Sequence, residues 1–163
     1  MPFYKEKKVK KGMFVVLATV VLVHAAELKK ISFEEYLLKF DYQERNEMKI
    51  KTPDMLVPSW KKEKAILVDI RFREEFEVWH MNFAKNIPLN ELPKTLKMSF
   101  QKIKLIITAC PHYDRSSMAR MYLTLNGYNA KYLNDGLLKT AEFLRGDNAK
   151  EFLDEYRAVN NSR

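Results

Sequence analysis

Residues 104–117 read KLIITACPHYDRSS, a short apolar run followed by a polar turn that opens a helix. Branched apolar residues without polar alternation suit a strand buried on both faces. The helix is expected from about Arg115, with Met118, Met121, Tyr122 and Leu125 at i, i+3, i+4 and i+7 and hence on one face. Gly127 fits its left-handed stop. A strand that passes through a tight turn into a helix is one half of a parallel crossover unit.

The rest of the chain repeats that unit. Residues 65–70 (AILVDI) upstream and 130–133 (AKYL) downstream read as two further strands. Helical patterns occupy 74–79, 93–100 and 136–145, with a brief extended piece at 86–89. Ser32 and Glu35 form a capping box for a helix over 32–40. Thr52 before Pro53 starts another helix. Asp147 or Asn148 caps a last one, whose Phe152, Leu153 and Tyr156 are expected to pack on the body. Residues 42–51 are polar and show no clear pattern. Strands alternating with helices predict an α/β fold, a parallel sheet with helices on both faces.

The first 26 residues stand apart from this body. Lys5, Lys7, Lys8, Lys10 and Lys11 precede an apolar run at 13–23 (MFVVLATVVLV), and Ala25 and Ala26 follow it. A basic head, a short apolar stretch and a small-residue cut site form the secretory signal pattern. The run falls short of the roughly 20 residues that a permanent membrane helix needs. The expected organisation is an export signal at 1–26, an extension at 27–49, the main domain at 50–146 and a C-terminal helix at 147–163. The mature chain is expected in the periplasm without stable membrane insertion. The alternative is an uncleaved anchor.

The chain carries 29 basic and 21 acidic residues, a net charge of +8, and the first 26 residues hold half of it. No dense basic stripe with interleaved aromatics remains, so nucleic-acid binding is not expected. No His/Cys cluster has metal-ligand spacing and no glycine-rich phosphate loop occurs, so neither a metal nor a nucleotide cofactor is implied.

Cys110 is the single cysteine of the chain. In an oxidising compartment a lone cysteine is either inert and buried or a free reactive thiol. It follows a buried strand directly, and in parallel sheets sites gather beyond the carboxyl ends of the strands. The helix dipole and Arg115 should hold its sulfur as a thiolate, the nucleophilic form. Ser116 is expected to cap the helix. The loop is expected to stand open to substrate.

The run from Cys110 through Pro111, His112, Tyr113 and Asp114 to Arg115 and Ser116 resembles the active-site loop of rhodanese-like domains. Asp69 and Arg71, then Glu75, His80, Ala84, Asn86 and Pro88, are similar to that family's upstream signature. Gly127, Tyr132, Leu133 and Gly136 resemble its closing strand and turn. The likeness spans about 50–146. It implies a sulfurtransferase in which Cys110 takes a sulfane sulfur from thiosulfate or polysulfide as a persulfide. The sulfur then passes to a thiol, cyanide or sulfide acceptor, by two-step covalent catalysis.

By the same likeness Arg115 and the loop amides stabilise the anionic sulfur, and residues 111–114 and 116 line the substrate. Asp69, Arg71, Glu75 and His80 serve as framework, whereas His112 could touch substrate. The chain also departs from the pattern. Trp79, Phe83, Tyr113 and Asp135 stand where the family often has glycine, and Pro111 lacks an N–H. Two alternatives stay open. One is a catalytically silent rhodanese-like binding module. The other is a cysteine-dependent phosphatase or arsenate reductase, whose loops hold one residue more between Cys and Arg.

Overall fold

The computed structural model describes residues 29–60, 65–99 and 105–161. The expected export signal at 1–26 lies outside them, as do Phe100 and Lys104 at the ends of two expected elements. Five strands form one sheet: β1 (Lys49–Ile50), β2 (Ala65–Asp69), β3 (Lys85–Asn86), β4 (Leu105–Ala109) and β5 (Ala130–Leu133). Their order is β1-β5-β4-β2-β3, and every neighbouring pair is parallel. The fold is α/β, as expected.

The helices are α1 (Phe33–Leu38), α2 (Tyr42–Glu47), α3 (Thr52–Trp60), α4 (Arg73–Val78), α5 (Leu92–Ser99), α6 (Asp114–Leu125), α7 (Gly136–Phe143) and α8 (Asp147–Asn161). Side chains of a strand point alternately to the two faces, and the core divides accordingly. Val68, Ile70, Ile106, Cys110 and Ala130 pack with Leu92 of α5 and with Ala119 and Leu123 of α6. Ala65, Leu67, Ile107, Ala109 and Leu133 pack on the other face with Met55 and Leu56 of α3 and Leu137 of α7. Helices therefore cover both faces, which is why β2 and β4 read as unbroken apolar runs.

Two expectations about packing fail. The buried face of α6 is Ser116, Ala119, Arg120 and Leu123, while Met118 of the expected stripe is 62% exposed. On α8, Phe152 and Tyr156 pack on the body, but Leu153 is left 42% exposed.

The polar stretch at 42–51, unread in the sequence, forms α2 and the edge strand β1. Asp41 caps α2 by accepting the Glu44 N–H at 2.8 Å. Together with α1, α2 docks on α6 through Arg120. The Arg120 guanidinium bonds the Tyr36 hydroxyl at 2.6 Å, the Glu44 carboxylate and the Ala130 carbonyl. Among the described residues no helix is long and apolar enough to cross a membrane.

The chain reverses direction across the sheet between β2 and β4. From β2 it moves to the β3 edge, and after β4 it moves the opposite way to β5. In open α/β sheets ligands bind in the crevice at such a switch point, beyond the carboxyl ends of the strands. Asp69 ends β2 and Cys110 follows β4, so the switch point brings these two segments side by side. The Ile70 N–H donates to the Ala109 carbonyl at 3.0 Å across the gap.

Candidate active site

Cys110 is the first residue after β4, and the loop it opens is held by the start of α7. The Leu137 N–H donates to the Cys110 carbonyl at 2.9 Å and the Leu138 N–H to the Pro111 carbonyl at 3.2 Å. These are donors that a helix N-terminus leaves without an intrahelical partner. The close approach dictates the residue before them. A Cβ on Gly136 would lie 2.1 Å from the His112 carbonyl oxygen and 2.4 Å from that of Pro111. Gly136 also has φ +68°, a conformation that other L-residues adopt at a cost.

The sulfur sits under the first turn of α6. The Ser116 N–H donates to Cys110 Sγ at 3.4 Å, and Sγ lies 3.5 Å from both Asp114 Oδ1 and Ser116 Oγ. An N–H of the helix start is thus aimed at the sulfur, the placement the strand–turn–helix order predicts. Asp114 Oδ1 is the carboxylate acceptor within reach of the thiol. The backbone N–H of Arg115, and then the Cys110 thiol, keep the Asp114 carboxyl below the ordinary carboxylate range. It is therefore ionised at neutral pH.

Two expectations about this loop are corrected. Cys110 is 0% exposed rather than open to substrate, because Asp114 and Ser116 close over the sulfur. Ser116 lies within α6, its hydroxyl donating to the Tyr113 carbonyl at 3.1 Å, and does not cap it. Arg115 is forked onto Glu75 of α4 by two bonds at 2.7 and 2.8 Å, from where its charge still reaches Cys110. That pairing holds Glu75 below its usual value and Arg115 above its own. Glu75 also accepts the Phe72 N–H at 3.2 Å, which ties the start of α4 to the loop. His112, Tyr113 and Asp114 are the exposed members of the loop, and Pro111 is half-buried.

The other predicted residues form the frame. Asp69 and Arg71 make a buried ion pair with Nη2–Oδ2 at 2.7 Å and both Asp69 oxygens engaged. Arg71 also donates to the Trp79 carbonyl at 2.7 Å and stacks on the Trp79 ring at 4.5 Å. Tryptophan in place of the family's glycine therefore closes one end of the Arg71 site. Asn86 donates to the Asp69 and Arg71 carbonyls, each at 3.0 Å, and fixes the turn after β2. His80 donates from Nδ1 to the Phe76 carbonyl at 2.9 Å and stacks on the Phe76 ring.

Asp135, at another position often held by glycine, accepts the Thr52 N–H at 2.8 Å and so joins α3 to the turn before α7. The sequence offered no signal for this contact, whose partners lie 83 residues apart. Among the described residues no group of three or more His, Cys, Asp or Glu side chains is placed to hold a metal ion.

Comparison with known proteins bears on the family and the fold. The rhodanese-like domain family matches residues 52–142. A rhodanese-related protein from Thermoplasma volcanium superposes with a TM-score of 0.51 at 24% identity, over 58% of this chain and 90% of its own. A Bacillus halodurans protein does so with a TM-score of 0.53 at 25% identity, over 67% of this chain and 80% of its own. The thiosulfate sulfurtransferase of Pseudomonas aeruginosa shares the fold at 15% identity and a TM-score of 0.53, over 73% of this chain but 26% of its own. No curated protein matches the sequence. The match at 52–142 runs from the start of α3 into α7 and takes in β2 and β4, the cysteine loop and the Gly136 clamp. On that ground the chain belongs to the rhodanese-like domain family.

Proposed function

We propose that the chain is a sulfurtransferase in which Cys110 carries a sulfane sulfur as a persulfide. One observation carries this reading. The lone cysteine stands at the switch point of the sheet, with the Ser116 N–H directed at its sulfur at 3.4 Å. An anionic sulfur at that point is stabilised by a donor already in place, which is the preorganisation such chemistry needs. Cys110 would take the outer sulfur of a small donor and pass it to a thiol or cyanide acceptor. Because Cys110 is covered, the Asp114 side chain or the loop must shift to admit the donor. Arg115 would assist by charge while remaining on Glu75.

The proposal extends to location: the basic head and apolar run at 1–26 would direct export to the periplasm. The test of the chemistry is the intact mass of the protein after exposure to thiosulfate or polysulfide. One added sulfur, released by dithiothreitol and absent in Cys110→Ser, is the expected result. A second reading, a silent binding module, draws on the 0% exposure of Cys110 and on Pro111, which brings no N–H to the loop. An unchanged mass with every donor would favour it.

A further inference from the structure

The charges around Cys110 bear on which donor the site accepts. Asp114 Oδ1 lies 3.5 Å from Sγ, and the carboxylate is exposed to whatever approaches the loop. The cations of this end of the sheet are committed elsewhere. Arg115 is forked onto Glu75, Arg71 is buried on Asp69, and Arg73 is paired with Glu91 at 2.5 Å. Among the described residues no ion pair is closed on Asp114. The N-terminus of α6 offers about half a positive charge against it and Arg115 acts on it from its place on Glu75, yet Asp114 is the charged side chain within hydrogen-bond reach of the sulfur.

We propose that Asp114 selects the donor class, so that Cys110 takes its sulfur from an organic persulfide in preference to the thiosulfate dianion. The inference rests on the sulfurtransferase reading and narrows it. In the step, Cys110 sulfur attacks the outer sulfur of R–S–SH. The Sγ–S bond forms as the carrier's S–S bond breaks, and the electron pair of the broken bond leaves on the carrier sulfur. The thiol proton that Cys110 shares with Asp114 passes to that sulfur, giving R–SH and Cys110–S–SH. No outside oxidant or reductant is needed. Thiosulfate would have to bring two negative charges within a few ångströms of the Asp114 carboxylate. It would expel sulfite past the same group.

The experiment compares loading of the full chain by thiosulfate and by the persulfide of 2-mercaptoethanol, whose carrier is uncharged. Initial rates are followed by intact mass, and the readout is the ratio of thiosulfate to persulfide loading, from which intrinsic differences in donor reactivity cancel between conditions. Asp114→Asn removes the charge with little change of shape and is expected to raise the ratio about tenfold, as two unit repulsions at close range imply. In the unaltered protein, raising salt from about 20 to about 200 mM should raise the ratio through screening, and in Asp114→Asn it should not. The salt series needs no variant, so it decides the matter even if the substitution disturbs the loop. A ratio unmoved by salt and by Asp114→Asn overturns the donor assignment and leaves sulfur transfer standing. No loading from either donor, in protein whose Cys110 still reacts with iodoacetamide after unfolding, overturns the sulfurtransferase reading itself.

Discussion

At the scale of single residues, the site is a set of charges of which all but one are paired. The Asp69–Arg71 pair is buried at 0% and 2% side-chain exposure. Breaking such a pair leaves an uncompensated charge in the interior, at a cost of about 3–5 kcal/mol. Arg71→Ala should therefore lower unfolding free energy by about that much in urea titration, and it also removes the packing on Trp79. The Glu75–Arg115 pair is partly exposed, so solvent screens it and Glu75→Gln should cost only about 1 kcal/mol. Its pH dependence has a definite sign. Arg115 holds the folded-state Glu75 below its ordinary 4.5, so its contribution is present above that value and is lost as pH falls through the lower, folded one. Stability curves of the unaltered protein and Glu75→Gln should stay apart at neutral pH and draw together on the acid side of 4.5. A gap that persists in strong acid would mean that Glu75 acts by packing.

At the scale of elements, what the sequence revealed depended on whether the cause was local. The strands β2 and β4 were legible because burial on two faces leaves a continuous apolar run. The edge strands β1 and β3 have two residues each and exist through pairing, Lys49 beside Tyr132 and Val68 beside Lys85. No local pattern encodes β1, whereas β3 overlaps at Asn86 the extended piece expected over 86–89. The buried face of α6 was misread because hydrophobic periodicity counts apolar residues. This helix instead presents small Ser116 and Ala119 to the sheet, and it buries Arg120 with partners 76 and 84 residues away. The cysteine loop was legible as a motif, but the turn of Arg115 onto Glu75 was not, since the partners lie 40 residues apart. Gly136 was legible as a motif residue, while its reason, the contact with the loop backbone, is tertiary. Gly136→Ala should cost about 2–4 kcal/mol, from positive φ and the clash with two carbonyls together. The same displacement should uncover the sulfur, so Cys110 should react with iodoacetamide faster in native Gly136→Ala than in the unaltered protein. Equal rates would show that the clamp does not govern access.

At the scale of the whole molecule, the segment ahead of the family match is part of the fold. The rhodanese-like match begins at Thr52, yet β1 completes the sheet and α1 and α2 supply the partners of Arg120. Arg120 is only 4% exposed at its side chain, and its guanidinium is held by Tyr36 from α1, by Glu44 from α2 and by the backbone of β5. The Ile31 N–H adds a bond to the Leu125 carbonyl at the far end of α6 at 3.0 Å. A domain that began at residue 52 would therefore keep a buried guanidinium with most of its acceptors gone. Glu44→Ala tests this with a change remote from the sulfur. Glu44 is itself partly exposed, so water can reach the vacated place and the cost should fall to about 2–3 kcal/mol, toward the lower end for a broken buried pair. If the extension is integral, that loss appears as a lower midpoint of a single cooperative transition, since α6 connects the Arg120 contact to both core layers through the sheet. Met in place of Arg120 separates charge from packing. Arg120→Met combined with Glu44→Ala should recover part of the stability lost in Glu44→Ala alone, because the stranded charge is removed. An unchanged midpoint in Glu44→Ala, or a separate early transition confined to residues before 52, would make the extension an appendage whose contacts contribute nothing to the domain.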